Sequence, residues 1–402
     1  MSNSQEEQAK TGVTFAAGFR AGAAAAGISS QAGKKDLALV VNDGPDKIAA
    51  AVFTSNRFAA APVLWSRAAL ADGQAQAIVL NSGGANACTG QQGMDDSQAS
   101  AQHLAAQLGL AAQDVLVCST GIIGQFLPMP KLIEGIDRAL ATLAASGQQG
   151  RAAAEAIMTT DTVSKEGHRL GQGAAGQFRL GGMAKGAGML APAMATMLAV
   201  ITTDAVLADS ALAQAALEKA VAASFNQLDS DGCMSTNDTV ILLASGASGV
   251  QVNESELLAC LTPLCQELAL ALIADAEGAK HDIYIHTVGA ATQEQASQVS
   301  RAVARSNLFK CAIFGNDPNW GRILAEVGTT SAEFETDRVN VSINGVQVCR
   351  AGGIGQDPSL VDLASTRKVT VEIDLAAGDA SACIMSNDLT YDYVHENSAY
   401  TS

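Results

Sequence analysis

Thr196 carries the most specific chemistry in this chain. It closes the run Lys185-Gly186-Ala187-Gly188-Met189-Leu190-Ala191-Pro192-Ala193-Met194-Ala195-Thr196, and the apolar, strand-like run Met197 to Ile201 follows it. That layout suits a threonine at the first position of a buried strand. Cleavage of the Ala195–Thr196 bond would give Thr196 a hydroxyl nucleophile and a free α-amine, and the amine is a base for its own hydroxyl. With an α-amine pKa of roughly 7.7–8.0, one residue would hold both functions near neutral pH without a histidine. Acyl transfer from such a nucleophile also needs donors for the oxyanion. Ser119-Thr120-Gly121, at the end of the apolar run from Val115 to Cys118, offers a hydroxyl and backbone N–H groups. The plain alternatives are an ordinary strand threonine and an ordinary strand-to-loop turn.

Other patterns carry less. Asn81-Ser82-Gly83-Gly84-Ala85-Asn86-Ala87-Cys88-Thr89-Gly90 follows a strand ending at Leu80 and reads equally as a ligand loop or a tight structural turn. Ser235 to Asp238, preceded by Asp231-Gly232, packs small polar groups before the strand Thr239 to Leu243. A hydrogen-bonded turn fits it better than a metal site. Asp317 to Arg322 reads as a corner pinned by Trp320. Gly171-x-Gly173-x-x-Gly176 matches a dinucleotide fingerprint in letters only, because strand-like Gln177 to Leu180 follows where a helix is required. None of the five histidines stands in a serine-hydrolase context.

The elements that must position these residues mix helix and strand. Leu37 to Val41, Ile78 to Leu80 and Val115 to Cys118 read as buried strands. Helices are expected over Asp95 to Leu108, Lys131 to Ala145, Asp209 to Ser224 and Glu254 to Asp275. Ile283 to Val288 reads as a strand. Asn344-Gly345 signals a hairpin joining Val339–Ile343 to Val346–Cys349. Lys368 to Leu375 and Ala382 to Met385 form a further expected strand pair. The glycine-rich segment Gly167 to Gly188 is the one candidate internal boundary.

Bulk properties bound the function. The chain has 402 residues, 48% hydrophobic, with only 4% aromatic, so alanine, valine and leucine must fill one large core or two lobes. A net charge of −16 repels phosphate backbones and argues against nucleic-acid binding. It also means that an anionic substrate needs a specific local cation. The eight cysteines form no C-x-x-C pair, no metal site is expected, and most lie in apolar stretches as buried free thiols do. The polar Met1 to Lys10 segment has no secretory pattern. The apolar run Met189 to Ile201 is too short to cross a bilayer about 30 Å thick as a helix. A soluble cytoplasmic protein is expected.

Together, the ordered motifs resemble the ornithine acetyltransferases of arginine biosynthesis, also called bifunctional glutamate N-acetyltransferases. They run from Gly18-Phe19 and Phe53 to Arg57 through Asn81 to Gly90, Ser119 to Gly124, Met158-Thr159-Thr160-Asp161-Thr162 and Lys185 to Leu198. Asp231 to Asp238, Glu277 to Lys280, Gly315 to Ile323 and Asn397 to Ser402 follow. The resemblance implies an α/β fold, an αββα sandwich of the kind shared with certain N-terminal-nucleophile aminopeptidases, with a smaller C-terminal α/β lobe. It implies self-cleavage between Ala195 and Thr196 into an α chain (1–195) and a β chain (196–402), assembled as α2β2.

The implied reaction moves acetyl from N-acetylornithine to glutamate by a ping-pong route through acetyl-Thr196, with acetyl-CoA as a further donor in some members and no bound cofactor. Thr120 and Gly121 match the oxyanion hole. Thr159, Lys185, Glu277, Asn397 and Ser402, together with Thr196, match the substrate contacts. The sequence departs from the family at Lys280, which follows Ala279 where a threonine is usual. The competing readings are an N-terminal-nucleophile aminopeptidase or amidase, and a small-molecule binder that never matures.

Overall fold

The computed structural model describes residues 11–189 and 197–399. Its first sheet joins β1 (Phe19–Ala24), β2 (Leu37–Asn42), β4 (Ala77–Asn81) and β5 (Val115–Ser119) in that order. The second joins β3 (Ala49–Phe53), β9 (Thr239–Ala244), β8 (Leu198–Thr203), β7 (Gly176–Lys185) and β6 (Lys165–Gly173). The two sheets face each other across one apolar layer. Phe19, Val40, Ile78, Leu80 and Leu116 meet Met183, Leu198, Val200, Ile241 and Leu243 there. Helices cover both outer faces. The helices α1 (Ala61–Ala69), α2 (Gly90–Leu108) and α3 (Met129–Leu140) lie on the first sheet. The helix α4 (Gly147–Ala156) packs beside the inner layer, and α5 (Ser210–Ala222) and α6 (Glu254–Ala274) cover the second sheet. The result is the expected αββα sandwich. Strands buried on both faces need apolar side chains at every position, which is why Leu37–Asn42 and Ala77–Asn81 show no alternation.

The C-terminal lobe is a third sheet in the order β13 (Gly353–Ile354), β12 (Val346–Arg350), β11 (Asn340–Ile343), β14 (Lys368–Asp374), β10 (Asp282–Ala290), β15 (Ala380–Asn387). Its core gathers Ile283, Ile285, Val341, Val371 and Ile384 with side chains of α7 (Gln293–Ala304), α8 (Asn307–Phe314) and α9 (Trp320–Val327). The last described helix is α10 (Tyr391–Ala399). The hairpin expected at Asn344-Gly345 is present, with Asn344 at φ 46°. Trp320 opens α9 and packs against this core, so the corner reading of Asp317 to Arg322 holds.

Several expectations are corrected. The helix expected from Asp95 begins at Gly90, and Gln91 and Gln92 donate to Asp95 and Asp96 one turn on. The helix expected to run to Ala145 stops at Leu140, because Ala144 exchanges backbone hydrogen bonds with Ala21 of β1. The strands at Lys368 and Ala382 do not pair with each other; β10 lies between them, parallel to β14. The glycine-rich segment from Gly167 is no boundary. It is the β6–β7 hairpin, and the bare backbone at Gly167 and Gly182 lets Leu264 and Leu268 of α6 pack against it. The dinucleotide fingerprint lies in this same hairpin, with Gly171 opposite Phe178. Cys88, Cys233 and Cys311 are exposed, whereas four of the remaining five are buried. The 21-residue α6 is apolar enough to cross a membrane, but Leu257, Leu261, Leu264, Leu268 and Leu272 are spent on the core.

Candidate active site

The site is built where strands end. The chain leaves β4 at Asn81 and β5 at Ser119, which are register partners in a parallel ladder, so the two following loops emerge side by side. Ser119 Oγ donates to Asn81 Oδ1 at 2.6 Å, and Asn81 Nδ2 donates to the Gly84 carbonyl at 2.9 Å. Asn237 ties both loops to the second sheet: its Nδ2 donates to the carbonyls of Ala85 at 2.6 Å and Ser119 at 2.8 Å. Gly121 follows at φ 126°, a conformation that favours glycine. A Cβ there would lie 2.5 Å from the Gly83 carbonyl carbon, so a side chain would force the loops apart.

Thr120 is buried at the mouth of these loops and meets a lysine from the other sheet. Lys185, the last residue of β7, is 1% exposed, and its Nζ donates to Thr159 Oγ1 at 2.8 Å and to Thr120 Oγ1 at 3.3 Å. Accepting that bond leaves the Thr120 hydroxyl proton available for a third group. Burial lowers the Lys185 pKa, and Asp161, with its carboxylate 3.9 Å away, acts against the shift.

Glu277 and Asn397 form the other side. Glu277, in the turn after α6, donates its backbone N–H to the Ala187 carbonyl at 3.0 Å. Its carboxylate lies so close to Gly188 that a Cβ on that glycine would come within 2.7 Å of it. Asn397, on exposed α10, donates from Nδ2 to Glu277 Oε2 at 2.9 Å. The C-terminal helix is therefore docked on the segment that leads from Lys185 toward Thr196.

Five of the sequence-expected residues are thus brought together as two linked groups: Thr120, Thr159 and Lys185, then Glu277 and Asn397. Gly121 shapes the loop beside Thr120. Ala195, Thr196 and Ser402 lie outside the described residues. The chain is described again from Met197, whose N–H donates to Asp238 Oδ1 at 3.1 Å and whose carbonyl accepts from Thr239 N at 3.2 Å. Burial pushes the Asp238 carboxyl well above the ordinary range, and its Oδ2 has no hydrogen-bond partner among the described residues. Asn81, Asp161, Asn237 and Asp238 were given no role from sequence. All four stand in motifs singled out there, and for Asn81, Asn237 and Asp238 a small polar residue beside a strand end was the available signal.

Comparison with known proteins identifies the family. The profile of the family described as "ArgJ family" matches residues 20–402. The "Arginine biosynthesis bifunctional protein ArgJ" of Thermobifida fusca is 57% identical over 390 residues, covering 97% of this chain and 100% of the relative. The protein of the same name from Streptomyces coelicolor is 56% identical over 390 residues, with the same coverage. The solved ornithine acetyltransferase of Mycobacterium tuberculosis, in complex with ornithine, is 50% identical with a TM-score of 0.43. The match covers 45% of this chain and 95% of that one. On its sequence over nearly its whole length, this chain belongs to the ArgJ family.

Proposed function

We propose that the protein is the glutamate N-acetyltransferase of arginine biosynthesis, with Thr196 as a self-generated N-terminal nucleophile. The observation that carries this reading is Lys185. It is a buried lysine hydrogen-bonded to Thr120 and Thr159 on the strand that pairs, Lys185 opposite Leu198, with the strand just after Thr196.

In maturation, Thr196 Oγ attacks the Ala195 carbonyl. The acyl group moves from nitrogen to oxygen, and water hydrolyses the ester to leave the α-amine free. In turnover that amine takes the Oγ proton as Oγ attacks the acetyl carbonyl of N-acetylornithine. The Thr120 hydroxyl and the Gly121 N–H hold the oxyanion. Collapse breaks the amide bond, the proton passes to the leaving nitrogen, and ornithine departs from acetyl-Thr196. The amine of glutamate then attacks the ester and regenerates Thr196. Lys185 and Thr159 receive the substrate carboxylate, and Glu277, with Asn397 beside it, receives the substrate amine. Ser402 completes the contacts from the C-terminal tail.

We also propose acetyl-CoA as a second acetyl donor. The β7–β8 ladder would hold the two fragments together after cleavage, and we propose an α2β2 assembly acting in the cytoplasm. The test is an acetyl-transfer assay from N-acetylornithine to glutamate, with Thr196→Ala as control. Acetylglutamate formed by the natural protein and lost with an uncut Thr196→Ala chain is expected. Acetate released without acetylglutamate would instead make the protein a hydrolase.

A further inference from the structure

One buried carboxylate touches both arms of the carboxylate-binding pair. Asp161 lies between the loop carrying Thr159 and the end of β7 carrying Lys185. Its Oδ2 accepts the Thr159 N–H at 3.1 Å, and its Oδ1 accepts the Gly186 N–H at 2.6 Å and the Lys165 ammonium at 2.7 Å. Lys185 Nζ stands 3.9 Å from Oδ2. Lys165 also pairs with Asp275 at 2.6 Å, and Asp275 accepts the Thr162 N–H at 3.0 Å. The network therefore runs from the end of α6 to the site. The side chains of Asp161, Lys165 and Lys185 are at most 1% exposed.

We infer that Asp161 is a positioning residue, which fixes Thr159 and Lys185 relative to one another and keeps Lys185 an ammonium ready for a substrate carboxylate. This rests on the substrate-binding reading of Lys185 given above. A buried lysine without a counter-charge gives up its proton. The groups that face Lys185 are Asp161, Lys165, Asp238 and Glu277, and Asp161 is the strongest of those that favour its charged form. Asp238 is a poorer counter-charge, because burial pushes its own carboxyl up. Lys165 opposes the charge on Lys185, and Asp275 on its far side keeps it from claiming Asp161 alone. Lys34 also faces Asp161, from the loop where it donates to the Met158 carbonyl. None of these contacts brings Asp161 to a reacting atom, so its effect is on binding and its pH dependence.

The test is calorimetric titration of the mature two-chain enzyme with ornithine across the neutral and alkaline range, where a lysine whose pKa is lowered by burial gives up its charge. Asp161→Asn should move the alkaline loss of affinity down by about one pH unit or more. Binding would then be roughly tenfold weaker at the upper end and would recover at the lower. Lys165→Met removes an opposing cation and should move the same limb upward. It carries the test alone if Asp161→Asn does not accumulate as folded protein. Affinity that is unchanged, or lowered equally at every pH, would overturn the inference. Lys185→Met separates the two levels: undiminished ornithine binding by that variant would overturn the carboxylate-binding reading itself, and the role of Asp161 with it.

Discussion

At the residue scale, the proposed substrate binding rests on Lys185 and the polar residues around it. Lys185→Met should raise KM for N-acetylornithine by roughly ten- to a hundredfold, as expected for a lost charge-assisted bond worth about 1.5–3 kcal/mol. Steady-state kinetics would check this, and an unchanged KM would remove Lys185 from the substrate contacts. Asp161 gives a stability prediction. Burial alone would raise its pKa, but Lys185, Lys165 and the Gly186 N–H outweigh burial and hold it at about 2, against 3.8 for a free aspartate. A carboxyl with a depressed folded pKa stabilises the fold above its unfolded value. That stability is lost as the pH falls through the folded value. About 2 kcal/mol should therefore disappear between about pH 4 and about pH 2, and Asp161→Asn should flatten that part of a chemical-denaturation pH profile. The motifs around these residues were legible in the sequence as an ordered set, and Lys185, Thr120 and Thr159 do meet. The part played by Asp161 was not legible, because its contacts with Gly186 and Lys185 are tertiary ones that spacing does not encode.

At the element scale, strand ends bring the site together. Asn237 spans the loops after β4 and β5 with two buried bonds, and removing a buried donor strands both carbonyls. Asn237→Ala should cost about 2–4 kcal/mol of unfolding free energy, measured by denaturant titration. Gly121→Ala tests the loop itself. A Cβ at φ 126° and 2.5 Å from Gly83 should lower kcat far more than it raises KM, since what it displaces is the proposed oxyanion donor pair. A variant with natural kcat would remove that loop from the oxyanion role. Strands were the most readable elements, because β2, β4, β5 and β9 are uninterrupted apolar runs. Helix ends were less so. The end of α3 is set by Ala144 bonding to Ala21 of β1, a contact more than a hundred residues distant in sequence. The pairing order of β14, β10 and β15 was unreadable for the same reason: alternation reveals a strand but not its neighbour.

At the scale of the whole molecule, the proposed cleavage point falls between two adjacent strands of one sheet. Six register pairs, from Leu180–Thr203 to Lys185–Leu198, join the parts before and after it, and both parts contribute to the apolar layer between the sheets. The two fragments should co-purify under native conditions and separate only in denaturant. Fragments that part on native size exclusion would contradict the shared sheet. The αββα layering follows from apolar strands that need cover on both faces. The separate C-terminal lobe was expected from the family resemblance; its sheet is mixed, with β10 parallel to β14. The central claim is that Thr196 is freed by self-cleavage and then carries the acetyl group. Intact-mass spectrometry with N-terminal sequencing, before and after brief exposure to N-acetylornithine without glutamate, tests it most directly. Two fragments are expected, the second beginning Thr196-Met197-Leu198, with a gain of one acetyl group on that fragment that glutamate then removes. A single uncut chain that turns over, or a cut chain whose acetyl group lies on another residue, would contradict it.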